Sequence, residues 1–291
     1  MSARILIQID ADDQPSSFDS VVAIDAGVDH LLRYSRVGPT DITGLVHGAM
    51  FTRGPESLRH TAIFIGGSEV SASEELFRAA ADCFFGPLRV SLMLDAGGCN
   101  TTAAAAVVTA GRHQSLAGAR AVVLGGTGPV GRRVTQLLAG ESAAVTVTSR
   151  SQSRAGEVCQ RVSQAIPSAD VTPVSVSSPK TLRDVLQGAQ ILIACGAAGV
   201  ELVDHPTLDE LDALAVAIDL NAVPPAGIAP ISVSDRAKPL AHGVGYGAIG
   251  VGGLKMKTHK EAIRRLFAAN DQRFDASEIY EIAKSVAGTT A

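Results

Sequence analysis

The sequence lacks the cysteine and histidine patterns that build metal sites or disulfide frameworks. Its four cysteines stand singly, and none forms a CxxC pair or a cluster with histidine. The seven histidines show no HExxH motif and no paired-ligand spacing. These absences argue against the common zinc motifs and against a disulfide-stapled secreted fold. We therefore expect no metal and a reduced, cytoplasmic compartment.

The sequence also lacks a large excess of positive or negative charge, and it lacks long apolar runs. The chain has 25 Lys and Arg against 29 Asp and Glu, and it contains no run of basic residues. This balance gives no support for binding to nucleic acid or to an acidic membrane surface. No stretch of about 18 apolar residues could span a bilayer, and the first residues do not resemble a signal peptide. We expect neither a nucleic-acid partner nor a membrane partner.

What the sequence does contain is a dinucleotide-binding motif. A β-like run, Ala121–Leu124, leads into a Gly-x-Gly-x-x-Gly turn, and a helix-like run, Arg132–Leu138, follows. This order of strand, turn and helix is typical of the βαβ unit that binds a dinucleotide pyrophosphate. The first glycine would allow the tight turn, the second the approach of the pyrophosphate, and the third close helix–strand packing. The turn residues predicted to bind the cofactor are Gly126, Thr127, Gly128, Pro129, Val130 and Gly131.

The next predicted strand indicates which dinucleotide is bound. It covers Ala144–Thr148 and is followed by Ser149, Arg150 and, slightly later, Arg154. An NAD site usually has an acidic residue at this point to bind the ribose 2′-hydroxyl. A guanidinium group flanked by hydroxyl groups instead suits a 2′-phosphate. The sequence therefore predicts NADP as the cofactor.

Strand and helix patterns alternate along the whole chain, which predicts an α/β fold with mainly parallel sheets. Further strands are predicted at 4–9, 61–65, 89–94, 171–176, 191–194 and 216–220. Further helices are predicted at 17–26, 73–83, 103–111, 156–165, 180–186, 257–269 and 276–287. We expect an N-terminal α/β substrate domain over 1–110, completed by residues from about 256 to 291. A Rossmann-type domain that binds NADP would cover 111–255, with the C-terminal helices packed on the N-terminal domain.

Other candidate residues follow from their predicted positions. Ligands of open α/β sheets bind beyond the carboxyl ends of the strands, so Ala197 and Asn221 are predicted to contact the cofactor. Asn100 is expected at a strand-to-helix junction, where it or the next threonine would cap the helix. The segment 243–253 holds six glycines and is predicted to be a flexible loop that precedes Lys255. His259 is expected on a helix surface, and most acidic residues near the N-terminus in solvent.

Seven segments of the chain together resemble one enzyme family. They are Phe18-Asp19, Thr61–Gly67, Phe85-Gly-Pro87, Asn100-Thr-Thr102, Gly126–Gly131, Asn221–Gly227 and Gly252-Gly-Leu-Lys255. These segments resemble the NADP-dependent methylene-tetrahydromethanopterin dehydrogenases of bacterial one-carbon metabolism, and the resemblance runs from about Ile7 to Ala283. It implies two α/β domains with a cleft between them, and a homo-oligomer.

The resemblance also implies the reaction. A hydride would leave the methylene bridge between two pterin nitrogens and pass to NADP⁺, which leaves a methenyl cation. Because no proton has to be removed in this step, the site would need positioning and electrostatics rather than a histidine base or a metal. By the same resemblance, Lys255, Thr102, Asn100 and Asp19 lie near the pterin. A lysine beside the forming cation would oppose it, so Lys255 is expected to orient the substrate.

Three alternatives remain beside this family. Methylene-tetrahydrofolate dehydrogenases and shikimate-type NADP dehydrogenases share the same domain layout, and a non-catalytic NADP-binding module could use the same fold. A shikimate-type enzyme would need a lysine and aspartate pair in its substrate domain, but no lysine occurs before residue 110. The N-terminal domain argues against a bare binding module. Ser149-Arg150-Ser151 stands where some family members have Gly-Arg-Lys, which removes one positive charge near the 2′-phosphate.

Overall fold

The computed structural model describes residues 2–288, in which strands and helices alternate. The strands are β1 (Ile5–Ile9), β2 (His30–Tyr34), β3 (Thr61–Ile65), β4 (Ser91–Leu94), β5 (Arg120–Leu124), β6 (Ala144–Ser149), β7 (Val171–Ser175), β8 (Ile191–Ala194), β9 (Val216–Asp219), β10 (Lys238–Pro239), β11 (Val244–Tyr246) and β12 (Arg273–Phe274). The α-helices are α1 (Ser17–Asp25), α2 (Ile42–Met50), α3 (Val70–Asp82), α4 (Cys99–Ala110), α5 (Pro129–Gly140), α6 (Gln152–Ala165), α7 (Pro179–Leu186), α8 (His205–Asp209), α9 (Ala248–Leu266) and α10 (Ala276–Gly288). Short 3₁₀ helices cover Pro55–His60 and Ala96–Gly98.

Contacts between residues divide the chain into two compact units. Unit 1 takes in Met1–Thr101 and Met256–Ala291, and unit 2 takes in Thr102–Lys255. The borders of the units fall inside α4 and α9 rather than in loops.

Unit 1 is built on an all-parallel sheet with the strand order β12-β4-β3-β1-β2. The central strands are short apolar runs because both faces of a parallel sheet are covered. One face forms a core with α2 and α3, which includes Ile7, Ile63, Leu92, Val46, Met50 and Leu76. The pairing of β12 with β4 ties Arg273 and Phe274 into this unit.

Unit 2 is a seven-stranded sheet with the order β10-β11-β9-β8-β5-β6-β7. Every pairing is parallel except that of β10 with β11. The strand order reverses at β5, which pairs with β6 on one side and with β8 on the other. A crevice at such a reversal, beyond the carboxyl ends of the strands, is where open α/β sheets bind ligands. The predicted fold class, α/β with mainly parallel sheets, is confirmed.

The predicted flexible loop over 243–253 is wrong, because β11 covers Val244–Tyr246 and α9 covers the residues from Ala248 onward. Helix α9 begins at Ala248, so three of the six glycines, Gly250, Gly252 and Gly253, lie within a helix. Gly247 and Gly250 explain this start: a Cβ on either residue would collide with the backbone of Ser232 or Asp235. Glycine is required here because the helix begins in contact with another stretch of backbone.

Asp10, at the carboxyl end of β1, is fully buried, contrary to the expected solvent exposure of the acidic residues around it. Gln8 Nε2 donates to its Oδ2 at 2.9 Å, and Oδ1 has no hydrogen-bond partner among residues 2–288. Burial raises the pKa of Asp10, the bond from Gln8 opposes this, and the charge of Asp12 adds to the rise. The ionised carboxylate is therefore poorly accommodated.

We expect Asp10→Asn to gain stability relative to the wild type as pH rises. A native pKa raised above the unfolded value means that the favourable contribution of Asp10 is present below the unfolded pKa and is lost as pH rises through the native pKa. Asparagine does not ionise, so the variant escapes this loss. Urea unfolding at about pH 3.5, below the unfolded pKa of an aspartate, and at about pH 8 measures the difference. The exposed Asp212→Asn is the control, and equal pH dependence of both variants would contradict the prediction.

Candidate functional site

The glycine turn after β5 has the geometry of a dinucleotide-binding loop, with one change from expectation. The left-handed backbone angle belongs to Gly125, with a φ of +66°, so Gly125 rather than Gly126 makes the turn out of the strand. Gly126 is needed for a different reason. Its N–H donates to the carbonyl of Thr148 at 3.0 Å, and a Cβ on it would lie 2.7 Å from Val147 Cγ1. The turn is thus pressed against β6.

The two later glycines of the turn differ in what surrounds them. A Cβ on Gly131 would lie 2.7 Å from the Cα of Gly126 and 2.8 Å from the carbonyl oxygen of Gly125, so Gly131 allows close packing of α5 on the turn, as predicted. A Cβ on Gly128 would meet no protein atom closer than 3.7 Å. Gly128 is the N-cap of α5, and Pro129 occupies the first helical position. No side chain caps this helix, so its N-terminal dipole is available to an anion.

A cavity of about 500 Å³ lies against this turn, inside unit 2. Seven of the predicted cofactor-binding residues line it, namely Thr127, Gly128, Pro129, Ser149, Arg150, Arg154 and Ala197. No Asp or Glu is among its lining residues. Apolar side chains, including Val176, Leu182 and Leu202, cover the rest of the wall. Cationic, hydroxyl and apolar groups around an open helix N-terminus fit a phosphorylated dinucleotide.

The remaining cofactor-binding predictions lie outside this lining. Gly126, Val130 and Gly131 form the turn and the first turn of α5. Asn221 lies in the loop after β9, where its Nδ2 donates to the carbonyl of Pro225 at 3.0 Å. Its contact with a cofactor stays a prediction.

Sequence reasoning missed Asp219, which holds this loop. The side chain is buried, and its carboxylate accepts the backbone N–H groups of Asn221, Gly227 and Ile228 at 2.7–3.1 Å. Burial raises the pKa of Asp219, and the three backbone donors oppose that rise. An aspartate at the end of a buried apolar strand and before a Pro-rich turn was the available signal.

In unit 1 the start of α4 is held by Asp95 rather than by the predicted caps. Asp95 follows β4, and its Oδ1 accepts the N–H groups of Asn100 and Thr101 at 2.9 and 3.0 Å. Its Oδ2 accepts the hydroxyl of Thr101 at 2.6 Å. The expectation that Asn100 or Thr101 caps the helix is wrong because α4 already begins at Cys99. Both residues lie in the first turn.

The predicted pterin-site residues occupy distinct positions. Asn100 is fully buried, and its Nδ2 donates to the carbonyl of Leu94 and to Asp275 Oδ1, at 2.6 and 3.1 Å. Asp19 lies in the first turn of α1 and is 8% exposed. Thr102 in α4 and Lys255 in α9 are partly buried. The role of each of these residues stays a prediction.

His259 is fully buried, whereas the sequence suggested a surface position. Its ring stacks on Phe64 with centroids 5.6 Å apart, and its Nδ1 lies 3.9 Å from Asp95 Oδ2. The helix register explains the error. Thr258 and His259 share the buried face of α9 with Ala262, Ile263 and Leu266.

Residues 2–288 contain neither a cluster of metal ligands nor a membrane-spanning helix. No group of three His, Cys, Asp or Glu side chains in this part of the chain is placed to hold a metal ion. No helix in the same part is both long and apolar enough to cross a membrane.

The chain is similar over nearly its whole length to proteins of Methylorubrum extorquens. It is 32% identical, over 94% of its own length and 95% of the relative's, to the NAD(P)-dependent methylenetetrahydromethanopterin dehydrogenase of Methylorubrum extorquens. The chain belongs to the methylene-tetrahydromethanopterin dehydrogenase family. The family profile described as "Methylene-tetrahydromethanopterin dehydrogenase, N-terminal" matches residues 17–97. The resemblance seen in the sequence motifs is thereby confirmed.

A second relative and one solved structure add to the comparison. The "Bifunctional protein MdtA" of the same organism is 40% identical over 99% of this chain and 100% of its own length. Quinate dehydrogenase from Corynebacterium glutamicum, solved in complex with NAD, superposes with a TM-score of 0.57 at 14% identity, covering 97% of this chain and 99% of that one. The last likeness shows the shared fold. A nicotinamide dinucleotide is the cofactor class of this methylene-tetrahydromethanopterin dehydrogenase family member.

Proposed function

We propose that this protein oxidises methylene-tetrahydromethanopterin by hydride transfer to NADP⁺, which gives the methenyl form. The observation that carries the proposal is the cavity at the end of β5, in a chain 32% identical to a methylenetetrahydromethanopterin dehydrogenase. The cavity supplies a place for the dinucleotide, and the similarity supplies the substrate class.

The choice of NADP over NAD rests on the end of β6. Ser149, Arg150 and Ser151 line the cavity there, and Arg154 follows in the first turn of α6. An acidic residue at this position would repel a 2′-phosphate, while arginine binds phosphate oxygens through two parallel hydrogen bonds. We assign Arg150 and Arg154 to the 2′-phosphate.

The protein's own residues have binding and orienting roles in this proposal. The nicotinamide, when bound, supplies the acceptor for the hydride. The glycine turn and the N-terminus of α5 hold the pyrophosphate, and Lys255 and Thr102 hydrogen-bond the pterin and orient its methylene carbon. Asn100 and Asp19 complete the pterin site, with Asp95 fixing the first turn of α4. No base is assigned, because the hydride leaves without loss of a proton.

A second substrate deserves a test because the 40% identical relative is named as bifunctional. Methylene-tetrahydrofolate presents the same methylene bridge between two pterin nitrogens, so the same residues could position it. We also propose that the protein works as a homo-oligomer in the cytoplasm. Light scattering on the purified protein gives the subunit number.

The deciding experiment follows NADPH formation by absorbance with purified protein. Methylene-tetrahydromethanopterin and methylene-tetrahydrofolate are each offered with NADP⁺ and with NAD⁺, and heat-inactivated protein is the control. We expect the highest kcat/KM with the methanopterin substrate and NADP⁺. Turnover with methylene-tetrahydrofolate alone would show that the folate, not the methanopterin, is the substrate. Tight NADP⁺ binding without any turnover would show that the protein is a non-catalytic binding protein.

A further inference from the structure

A second, smaller cavity of about 140 Å³ adjoins the dinucleotide cavity in unit 2. The two cavities share Thr127 and Arg154 in their walls. The other residues around the smaller one are Arg132, Glu157, Val158 and Arg161. We call this feature the arginine groove. It begins beside the glycine turn and extends from the dinucleotide cavity along α6.

The helices explain why these side chains converge. Arg154, Glu157, Val158 and Arg161 are spaced by three, four and seven residues on α6, which places them on one helical face. Arg132 comes from the first turns of α5, and its Nε donates to the carbonyl of Thr127 at 2.9 Å. This bond holds the Arg132 guanidinium beside the turn.

The charges in the groove are not balanced. Three guanidinium groups face one carboxylate, and along residues 2–288 no acidic side chain forms an ion pair with Arg132, Arg154 or Arg161. Like charges gathered around a small cavity repel each other unless an anion enters it. The groove is therefore suited to a phosphate group.

We propose that the arginine groove is part of the site for the cofactor's 2′-phosphate, with Arg132 and Arg161 as specificity-determining residues. Glu157 weakens the same interaction through its negative charge. This inference rests on the proposed NADP preference and extends it from the β6 end to α5 and α6. It also accounts for the serine at position 151, since arginines from the helices supply positive charge to the same phosphate.

The test compares NADP⁺ and NAD⁺ binding to the full-length protein by titration calorimetry. Arg161→Gln should weaken NADP⁺ about three- to fivefold, the range of a partly solvated charge pair, and leave NAD⁺ unchanged. Glu157→Gln should tighten NADP⁺ about two- to threefold, again without effect on NAD⁺. Arg183→Gln, an exposed arginine on α7 outside both cavities, is the matched control and should change neither.

Salt and inorganic phosphate test whether the change in NADP⁺ affinity is electrostatic and whether it arises at the 2′-phosphate. Higher ionic strength should shrink the difference between the wild type and Arg161→Gln, because exposed charges are screened. Inorganic phosphate should weaken NADP⁺ binding more than NAD⁺ binding, because both dinucleotides share the pyrophosphate site and only NADP⁺ carries the 2′-phosphate. Phosphate that binds without competing against NADP⁺ would make the groove an independent site and overturn the inference.

The failures of the two proposals are distinguishable. If the wild type prefers NADP⁺ but Arg161→Gln and Glu157→Gln affect both dinucleotides alike, or neither, the groove is not part of the 2′-phosphate site and the NADP preference stands. If the wild type binds both dinucleotides equally, the NADP preference fails and the groove inference fails with it. Unaltered NAD⁺ binding in each variant shows that the site remains folded.

Discussion

Gly128→Ala is expected to weaken NADP⁺ binding roughly 100-fold, about 3 kcal/mol, while the free energy of unfolding stays close to that of the wild type. The new methyl group would meet no protein atom closer than 3.7 Å, so the folded chain has room for it. Gly128 lines the dinucleotide cavity and caps α5, so the methyl group enters the space assigned to the pyrophosphate. The defect should therefore be confined to binding.

Gly131→Ala provides the contrast, because its methyl group would point into the protein. Its Cβ would lie 2.7 Å from the Cα of Gly126 and 2.8 Å from the carbonyl oxygen of Gly125. Both contacts are with backbone atoms, so no flexible side chain can move aside to make room for the methyl group. Overpacking of this kind costs about 1–3 kcal/mol of stability, and displacement of α5 should weaken NADP⁺ as well.

Calorimetric titration with NADP⁺ and urea unfolding, applied to both variants, separate the two cases. We expect Gly128→Ala to lose binding alone and Gly131→Ala to lose binding and stability together. Tight NADP⁺ binding by Gly128→Ala would show that the pyrophosphate does not bind at this turn. Gly156→Ala, in a helix with open space around the new methyl group, is the control that should keep both properties.

Lys255→Ala is expected to lower kcat for the methylene-pterin roughly 100-fold while NADP⁺ binds nearly as tightly as in the wild type. Lys255 lies in α9 and is partly buried, and it is not among the residues that line the dinucleotide cavity. We assign it to holding the pterin in the orientation for hydride transfer. Loss of that contact misplaces the reacting carbon, and small misplacements have large effects on rate.

The neighbouring lysine supplies the matched control for this prediction. Lys257 lies in the same helix two residues later and is exposed. Lys257→Ala should retain nearly full turnover, as judged by steady-state kinetics with NADP⁺ held at saturation. Full activity of Lys255→Ala together with loss of activity in Lys257→Ala would move the role to Lys257.

The central strands could be predicted from the sequence because each is a short apolar run bounded by turn residues. β3 is predicted with its observed bounds, and β5, β6 and β8 agree within two residues. Arg150 and Arg154, which line the dinucleotide cavity, were also predictable. Their positive charge and their positions shortly after a predicted strand were enough to place them there. In contrast, β2 was missed because it is an edge strand with mostly exposed residues and has no apolar period.

The remaining errors depend on contacts that a local pattern does not contain. Glycines usually weaken a helix, so the start of α9 could not be expected without the backbone of Ser232 and Asp235 beside it. His259 is buried against the ring of Phe64, a contact that the sequence of α9 alone does not contain. Arg132 and Arg161 are ordinary helix arginines in the sequence, and only the packing of α5 beside α6 brings them to one groove.

The location of the unit borders inside helices has a consequence for recombining relatives. A chimaera that takes unit 1 from one family member and unit 2 from another must join the two parents in the first turn of α4, between Thr101 and Thr102, and again in the middle of α9, between Lys255 and Met256. Each junction would have to preserve the helical register beside residues that are proposed to contact the substrate. These residues are Asn100 and Thr102 in α4 and Lys255 in α9. Exchange of substrate preference by whole-domain grafting is therefore hard in this fold, and transplanting single helical faces is the better route.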